Sequence, residues 1–333
     1  MDNPVLVESW RGELIECRHR GALAVCDTAG RLHFARGDVA APVYPRSSTK
    51  PLQALPLVES GAAAAQALRL EQLALTCASH NGEPRHAEVV ERWLAALDLG
   101  ENDLECGPAL PKQAAGEAWL RGGGEPRRLL HNCSGKHSGM LALARHLDAP
   151  TRGYSRPEHV VQQRWMAVLG EMAGVDAERL PRASDGCGIP VLALPLARLA
   201  QAFARFADPS GLSAARREAI EQIRAALQAA PLMIAGEGRL CSALLEQAGQ
   251  QVQAKVGADG VYAAALPELG LGVALKIDDG DTAASEVALG ALLERFRVLD
   301  AGQTEALAGW FMPDIDNSRG EPVGRRVPSS VWC

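Results

Sequence analysis

Ser47 and Lys50 stand three residues apart in Arg46-Ser47-Ser48-Thr49-Lys50. On a helix that spacing puts both side chains on one face, within reach of each other. A serine hydroxyl is a poor nucleophile until a base takes its proton. A lysine serves as that base only where desolvation or a neighbouring cation lowers its pKa. Helix-start amides near Ser47 would also favour developing negative charge. Alone, the motif is equally well explained as a serine N-cap followed by a solvated lysine. Two further elements follow in order: Ser79-His80-Asn81, an S-x-N, and Lys255-Val256-Gly257, a K-x-G on an expected strand. Lys255 brings a second positive charge, and Gly257 is expected to let substrate approach the strand edge. Each element has a bland counterpart, a polar loop or a solvated strand end, but the ordered set favours a paired serine–lysine site.

The order S-x-x-K, S-x-N, K-x-G is that of serine β-lactamases and penicillin-binding proteins. Two other segments are unusually polar. His131 to Gly139 lies between a glycine-rich loop and a helix, and it is no P-loop because the upstream glycine and the Ser/Thr after Gly135-Lys136 are missing. Ser184 to Pro190 forms a rigid loop with an acid and a thiol, where Ser184-Asp185 competes with Ser79 for the second-motif role. Spacing alone does not mark Cys133 or Cys187 as metal ligands.

The elements that must hold these residues read as strand, helix, then strand. Val5 to Glu8, Glu13 to Arg18, Ala22 to Asp27 and Arg31 to Ala35 predict an antiparallel meander, with turns at Arg11-Gly12, Arg20-Gly21 and Thr28-Ala29-Gly30. A helix is predicted from Ser47 to about Leu68. Residues 85–250 are mainly helical by apolar spacing, with a capped start at Ser213. Val252 to Val256, Gly260 to Ala265 and Gly270 to Ile277 predict strands, followed by a helix from Thr282 to Phe296. The expected class is α+β, with a mixed, mainly antiparallel sheet built from both termini and flanked by helices. The chain is read as one unit of 1–333, with a sheet lobe of 1–84 plus 251–333 and a helical lobe of 85–250.

Among 333 residues, 47% are hydrophobic and 22% charged, with a net charge of −6, the balance of an ordinary globular protein. No Lys/Arg cluster suggests nucleic acid, and no segment is long and apolar enough for a membrane span. Met1-Asp2-Asn3-Pro4 lacks the features of a signal peptide, so a cytoplasmic location is expected. The eight dispersed cysteines read as reduced thiols rather than a disulfide framework.

Together these segments resemble the L-asparaginase II family of the Rhizobium etli type. The resemblance rests on Arg46 to Gln53, Ala78 to Glu83, His131 to His137, Asp185 to Gly188 and Lys255 to Gly260, with Met233 to Arg239 as a further block. It implies a serine β-lactamase-like fold, a single unit forming a homodimer, and hydrolysis of L-asparagine to L-aspartate and ammonia. By resemblance, Ser47 is the nucleophile, Lys50 its base, and Ser79 with Lys255 a second pair. Cys133, Lys136 and Cys187 resemble the ligands of one Zn²⁺, with Asp185 beside the metal. Arg46, His80, Asn81, Asp185 and His137 are assigned to the substrate's surroundings. Whether the metal orients substrate or activates water stays open. Competing readings are another serine–lysine acyl hydrolase (β-lactamase, D,D-peptidase or esterase) and a catalytically silent zinc- or amino-acid-binding protein.

Overall fold

A computed structural model describes residues 3–112 and 114–332; Met1, Asp2, Gln113 and Cys333 lie outside the described residues. The strands of the main sheet, numbered along the chain, are β1 (Val5–Arg11), β2 (Leu14–Cys26), β3 (Leu32–Arg36), β4 (Gln253–Val256), β5 (Val261–Leu266), β6 (Leu271–Ile277), β7 (Asp314–Asp316) and β8 (Pro322–Pro328). Their order is β7-β8-β1-β2-β6-β5-β4, with β3 also paired to β2, and every pairing is antiparallel. The fold class is α+β, as the sequence predicts.

β5 reads Val-Tyr-Ala-Ala-Ala-Leu and is buried at every position. Such a continuous apolar run requires cover on both faces. Helix Leu196–Ala207 packs against β2, β5 and β6, and helix Thr282–Arg295 packs against β1, β5, β6 and β8. The sheet is therefore the middle of three layers.

Three details depart from the sequence reading. Arg20-Gly21 is not a turn, because β2 runs straight through it. The first half of β2 pairs with β1 and the second with β6, and a Cβ at position 21 would stand 2.4 Å from the Lys276 carbonyl. Glycine is there for close approach. The helix predicted from Ser47 to Leu68 is instead a 3₁₀ turn, Arg46–Thr49, and three short helices, Lys50–Gln53, Leu55–Glu59 and Ala62–Ala65. Pro51 and Pro56 lack the N–H that a continuous helix needs. Finally, β7 and β8 carry mostly exposed or half-exposed residues and show no strand-like alternation. They form because β1 would otherwise present an open edge; Val7 faces Pro328 and Arg11 faces Gly324.

Between the sheet strands the chain is largely helical. Its centre is helix Ser134–His146, whose residues 134–144 are all buried. A helix apolar on one face only would show water the other. This one buries Ser134, Lys136, His137 and Ser138 as well, so each needs a polar partner or carries a penalty. The capped start at Ser213 is present, its hydroxyl accepting from Arg216 N–H at 3.3 Å. Among the described residues no helix is long and apolar enough to cross a membrane.

Candidate active site

The site forms where the 3₁₀ turn at Ser47 meets the end of β4. Arg46 adopts a left-handed backbone (φ 52°), as does Asp259 (φ 58°). For non-glycine residues this costs on the order of 1 kcal/mol or more and needs support from its surroundings. The support is mutual, since the Arg46 guanidinium pairs with Asp259 and also donates to Asp185 at 2.6 Å. Gly257 has a different purpose from the expected one. A Cβ there would stand 2.6 Å from the Pro45 carbonyl, so the glycine admits the protein's own turn beside β4, not a substrate. One outward N–H of β4 is taken as well, because Val256 N–H donates to Cys241 Sγ at 3.3 Å.

Residues 79–81 run extended between two neighbours. Ser79 N–H donates to Ile234 and Asn81 N–H to Ala235, while His80 N–H donates to Asn132. Extended chain alternates its side chains, so Ser79 and Asn81 project to one side and His80 to the other. This corrects the substrate role given to His80. It is fully buried, stacked on His86 at 4.7 Å, and both ring nitrogens are engaged. Its Nδ1 accepts from Gly82 N–H, which leaves Nε2–H to donate to Ser134 Oγ at 3.0 Å. Burial holds His80 neutral, well below the usual histidine range. Asn81 is held as well: its amide donates to the Glu237 carbonyl and Glu83, and accepts from Arg239.

Ser79 Oγ lies 3.0 Å from Lys50 Nζ and 2.8 Å from Lys255 Nζ. Both lysines are 1% exposed or less, so neither is a solvated charge. Lys50 also faces the carbonyls of Ala78 and Asn132, acceptors that take N–H donors from it. Lys255 donates to Val256 O at 2.7 Å. Burial holds Lys255 well below the ordinary lysine value, and the charges of Lys50 and Arg239 push the same way. Lys255 is thereby held toward the neutral amine, 2.8 Å from the Ser79 hydroxyl. Ser47 is half-buried, and its hydroxyl makes no hydrogen bond among the described residues.

A second buried cluster adjoins the first. Cys133, Lys136 and Cys187 are each about 3% exposed, and Lys136 Nζ donates to Cys187 Sγ at 2.9 Å. The two thiols act on each other in opposite senses, so that Cys133 is held well below the usual thiol range and Cys187 well above it. Burial alone would lower Lys136, but the thiol pair and Asp185 outweigh it and hold the ammonium charged. Burial would likewise raise Asp185, yet Lys136 and Arg46 keep it ionised. Among the described residues no three His, Cys, Asp or Glu side chains gather around a common point. The donor set here is two sulfurs and an amine. Ser184 is exposed, with its hydroxyl near the Asp185 carbonyl, and it does not join either cluster.

His137 is fully buried beside this cluster. Tyr154 OH accepts from Glu105 N–H at 2.9 Å, so its own proton goes to His137 Nδ1 at 2.6 Å. The ring proton is then on Nε2, which has no partner among the described residues. Tyr154, Asp259 and the Asn132 carbonyl were not picked out as site residues; nothing in a tyrosine between helices, or in a main-chain carbonyl, distinguishes it before the chain is folded.

On an α+β fold the site thus sets a serine between two buried lysines, beside a buried thiol–amine cluster. The chain belongs to the L-asparaginase II family, an amidohydrolase family whose sequence profile matches residues 7–328. No curated protein matches it. Among solved structures it is similar to Mglu in its native form (17% identity, 85% of this chain and 66% of that chain, TM-score 0.45). It is also similar to Mglu in 4.3 M NaCl (18% identity, 90% and 67%, TM-score 0.46). A β-lactamase from Mycobacterium bovis is similar at 17% identity, over 83% of this chain and 94% of that one, with a TM-score of 0.42. The chain thus spans about two thirds of the Mglu chains' length.

Proposed function

We propose that this protein hydrolyses the side-chain amide of L-asparagine to L-aspartate and ammonia. The observation that carries the reading is Ser79 Oγ held between two fully buried lysines, beside a half-buried Ser47. Ser47 attacks the amide carbon, because it is the hydroxyl a substrate can reach. Its proton passes to Lys50, and Ser79 carries protons between Lys50 and Lys255. Main-chain N–H groups around Ser47 hold the oxyanion. The leaving nitrogen takes a proton through Lys50 or Ser79 and departs as ammonia, and water then cleaves the acyl-serine to release aspartate. Lys50 reaches Ser79 rather than Ser47 in the resting state, so substrate binding has to tighten the Ser47–Lys50 contact.

A second reading has Ser79 attack directly with Lys255 as base, and the two short lysine contacts favour it.

Zn²⁺ fits the neighbouring cluster by donor chemistry, since sulfur and nitrogen are its usual ligands. Cys133, Lys136 and Cys187 would hold it. Lys136 coordinates only without its proton, so the ion would replace the ammonium as counter-charge for the thiolate. When bound, it supplies a Lewis acid that polarises or orients substrate.

The test is ammonia release from L-asparagine and L-glutamine by wild type, Ser47→Ala and Ser79→Ala, with zinc supplied. Mass mapping of an adduct formed with an electrophilic asparagine analogue then locates the attacking serine. An adduct on Ser47 supports the first reading and one on Ser79 the second. No ammonia from either substrate sinks both.

A further inference from the structure

Arg46 and Asp259 both hold a left-handed backbone, and their side chains are ion-paired to each other. An arginine has no short polar group to ease that conformation locally, so contacts of its side chain must help to impose it. The bonds within the 3₁₀ turn end on the carbonyls of Pro45 and Arg46, which accept from Ser48 and Thr49. The Arg46 guanidinium is held from elsewhere.

One holder is fixed by the sheet. Asp259 lies at the tip of the β4–β5 hairpin, which is closed by Gly257 N–H donating to the Val261 carbonyl at 2.7 Å. The Asp259 carbonyl accepts from Lys276 Nζ at 2.6 Å, and the Gly260 carbonyl accepts from Ile277 N–H at 2.9 Å. Both donors belong to the end of β6, so the main chain of Asp259 is anchored although its side chain is 67% exposed. At the other side of the guanidinium, Asp185 Oδ1 accepts from Arg46 Nε at 2.6 Å, and Asp185 Oδ2 accepts from Cys187 Sγ at 3.4 Å. Arg46 therefore spans the hairpin that carries Lys255 and the loop that carries Cys187, one residue before Ser47.

We propose that Asp259 is a positioning residue for Ser47. The proposal rests on the amidohydrolase reading with Ser47 as nucleophile. The Asp259 carboxylate, set by the sheet, keeps Arg46 in the left-handed region. Without it Arg46 relaxes to an ordinary backbone conformation, and the next residue swings with it. An exposed ion pair contributes little to stability, so the effect of this one is geometric. A misplacement of about 1 Å at the reacting group costs on the order of 10² in rate.

The experiment separates the carboxylate from the turn that carries it. Asp259→Gly removes the carboxylate and gives the hairpin tip the residue best suited to positive φ. Asp259→Asn removes only the charge, since asparagine tolerates the same backbone. Asp259→Gly is expected to lower kcat for L-asparagine about 100-fold and Asp259→Asn about tenfold. KM should stay within about twofold, and the melting temperature should not fall. Wild-type kcat in Asp259→Gly, or a loss confined to KM, overturns the proposal. The crystal structure of Asp259→Gly supplies a readout that needs no turnover. In it Arg46 should leave the left-handed region, with Ser47 Oγ displaced by about 1 Å. If wild type releases no ammonia, the activity reading fails and that displacement decides the proposal; Arg46 and Ser47 unmoved in the variant overturn it.

Discussion

Lys255 and Lys136 are both buried in the same small volume of protein, and their surroundings drive them in opposite directions. Around Lys255 stand a serine, a carbonyl and the positive charges of Lys50 and Arg239. Burial is the largest influence there, the opposing pull of Cys241 does not offset it, and the amine is held well below its ordinary value. Around Lys136 stand Cys133, Cys187 and Asp185, and although burial is again the largest single influence, the combined negative company outweighs it. One lysine is held toward the neutral amine and the other as an ammonium. The residue type does not choose between them; the sign of the neighbouring charge does.

The comparison can be broken by treating the two lysines alike. Lys255→Met should lower kcat by about 10³, the usual worth of a positioned base. It should leave thermal stability unchanged or raised, because a neutral side chain of similar size removes a buried amine. Lys136→Met should do the reverse to stability in metal-free protein. Stranding the Cys133 thiolate costs about 3 kcal/mol by urea unfolding, and adding Cys133→Ala should recover part of it. Equal stability of Lys136→Met and wild type would remove the thiolate from the argument.

A third measurement uses pH. A lysine depressed in the folded state makes the unfolded chain bind more protons, so stability rises with pH between the lowered folded value and the ordinary 10.5. The unfolding free energy of wild type minus that of Lys255→Met should climb through that window, by at most about 1.4 kcal/mol per pH unit. A flat difference would mean that Lys255 is not depressed. The smallest effect serves as a control outside both regions. Ser213→Ala removes a helix cap and should cost about 1 kcal/mol with kcat unchanged.

Much of the architecture was readable in advance because it follows from local pattern. The apolar run of β5 and the alternation of β2 announce a sheet, and the capped start at Ser213 announces a helix. The prolines at 51 and 56 were equally visible, but their effect was underweighted, and a long predicted helix became short pieces. β7 and β8 were invisible because their pairing answers a need of β1, more than 300 residues earlier in the chain. In the site, the alternation that turns His80 inward depends on two flanking segments, one from residues 234–235 and one from Asn132. Gly257 was rightly singled out, yet for the wrong neighbour.

The sequence by itself determined the inventory: two serines, three lysines, two cysteines and the glycine that lets them meet, in an order that marks the family. Only the tertiary structure decided how those groups are charged. Protonation of a buried amine depends on what stands within a few ångströms of it. Ser79 stands 176 residues from Lys255 and Cys187 stands 51 from Lys136, so no local reading of the chain could supply those neighbours.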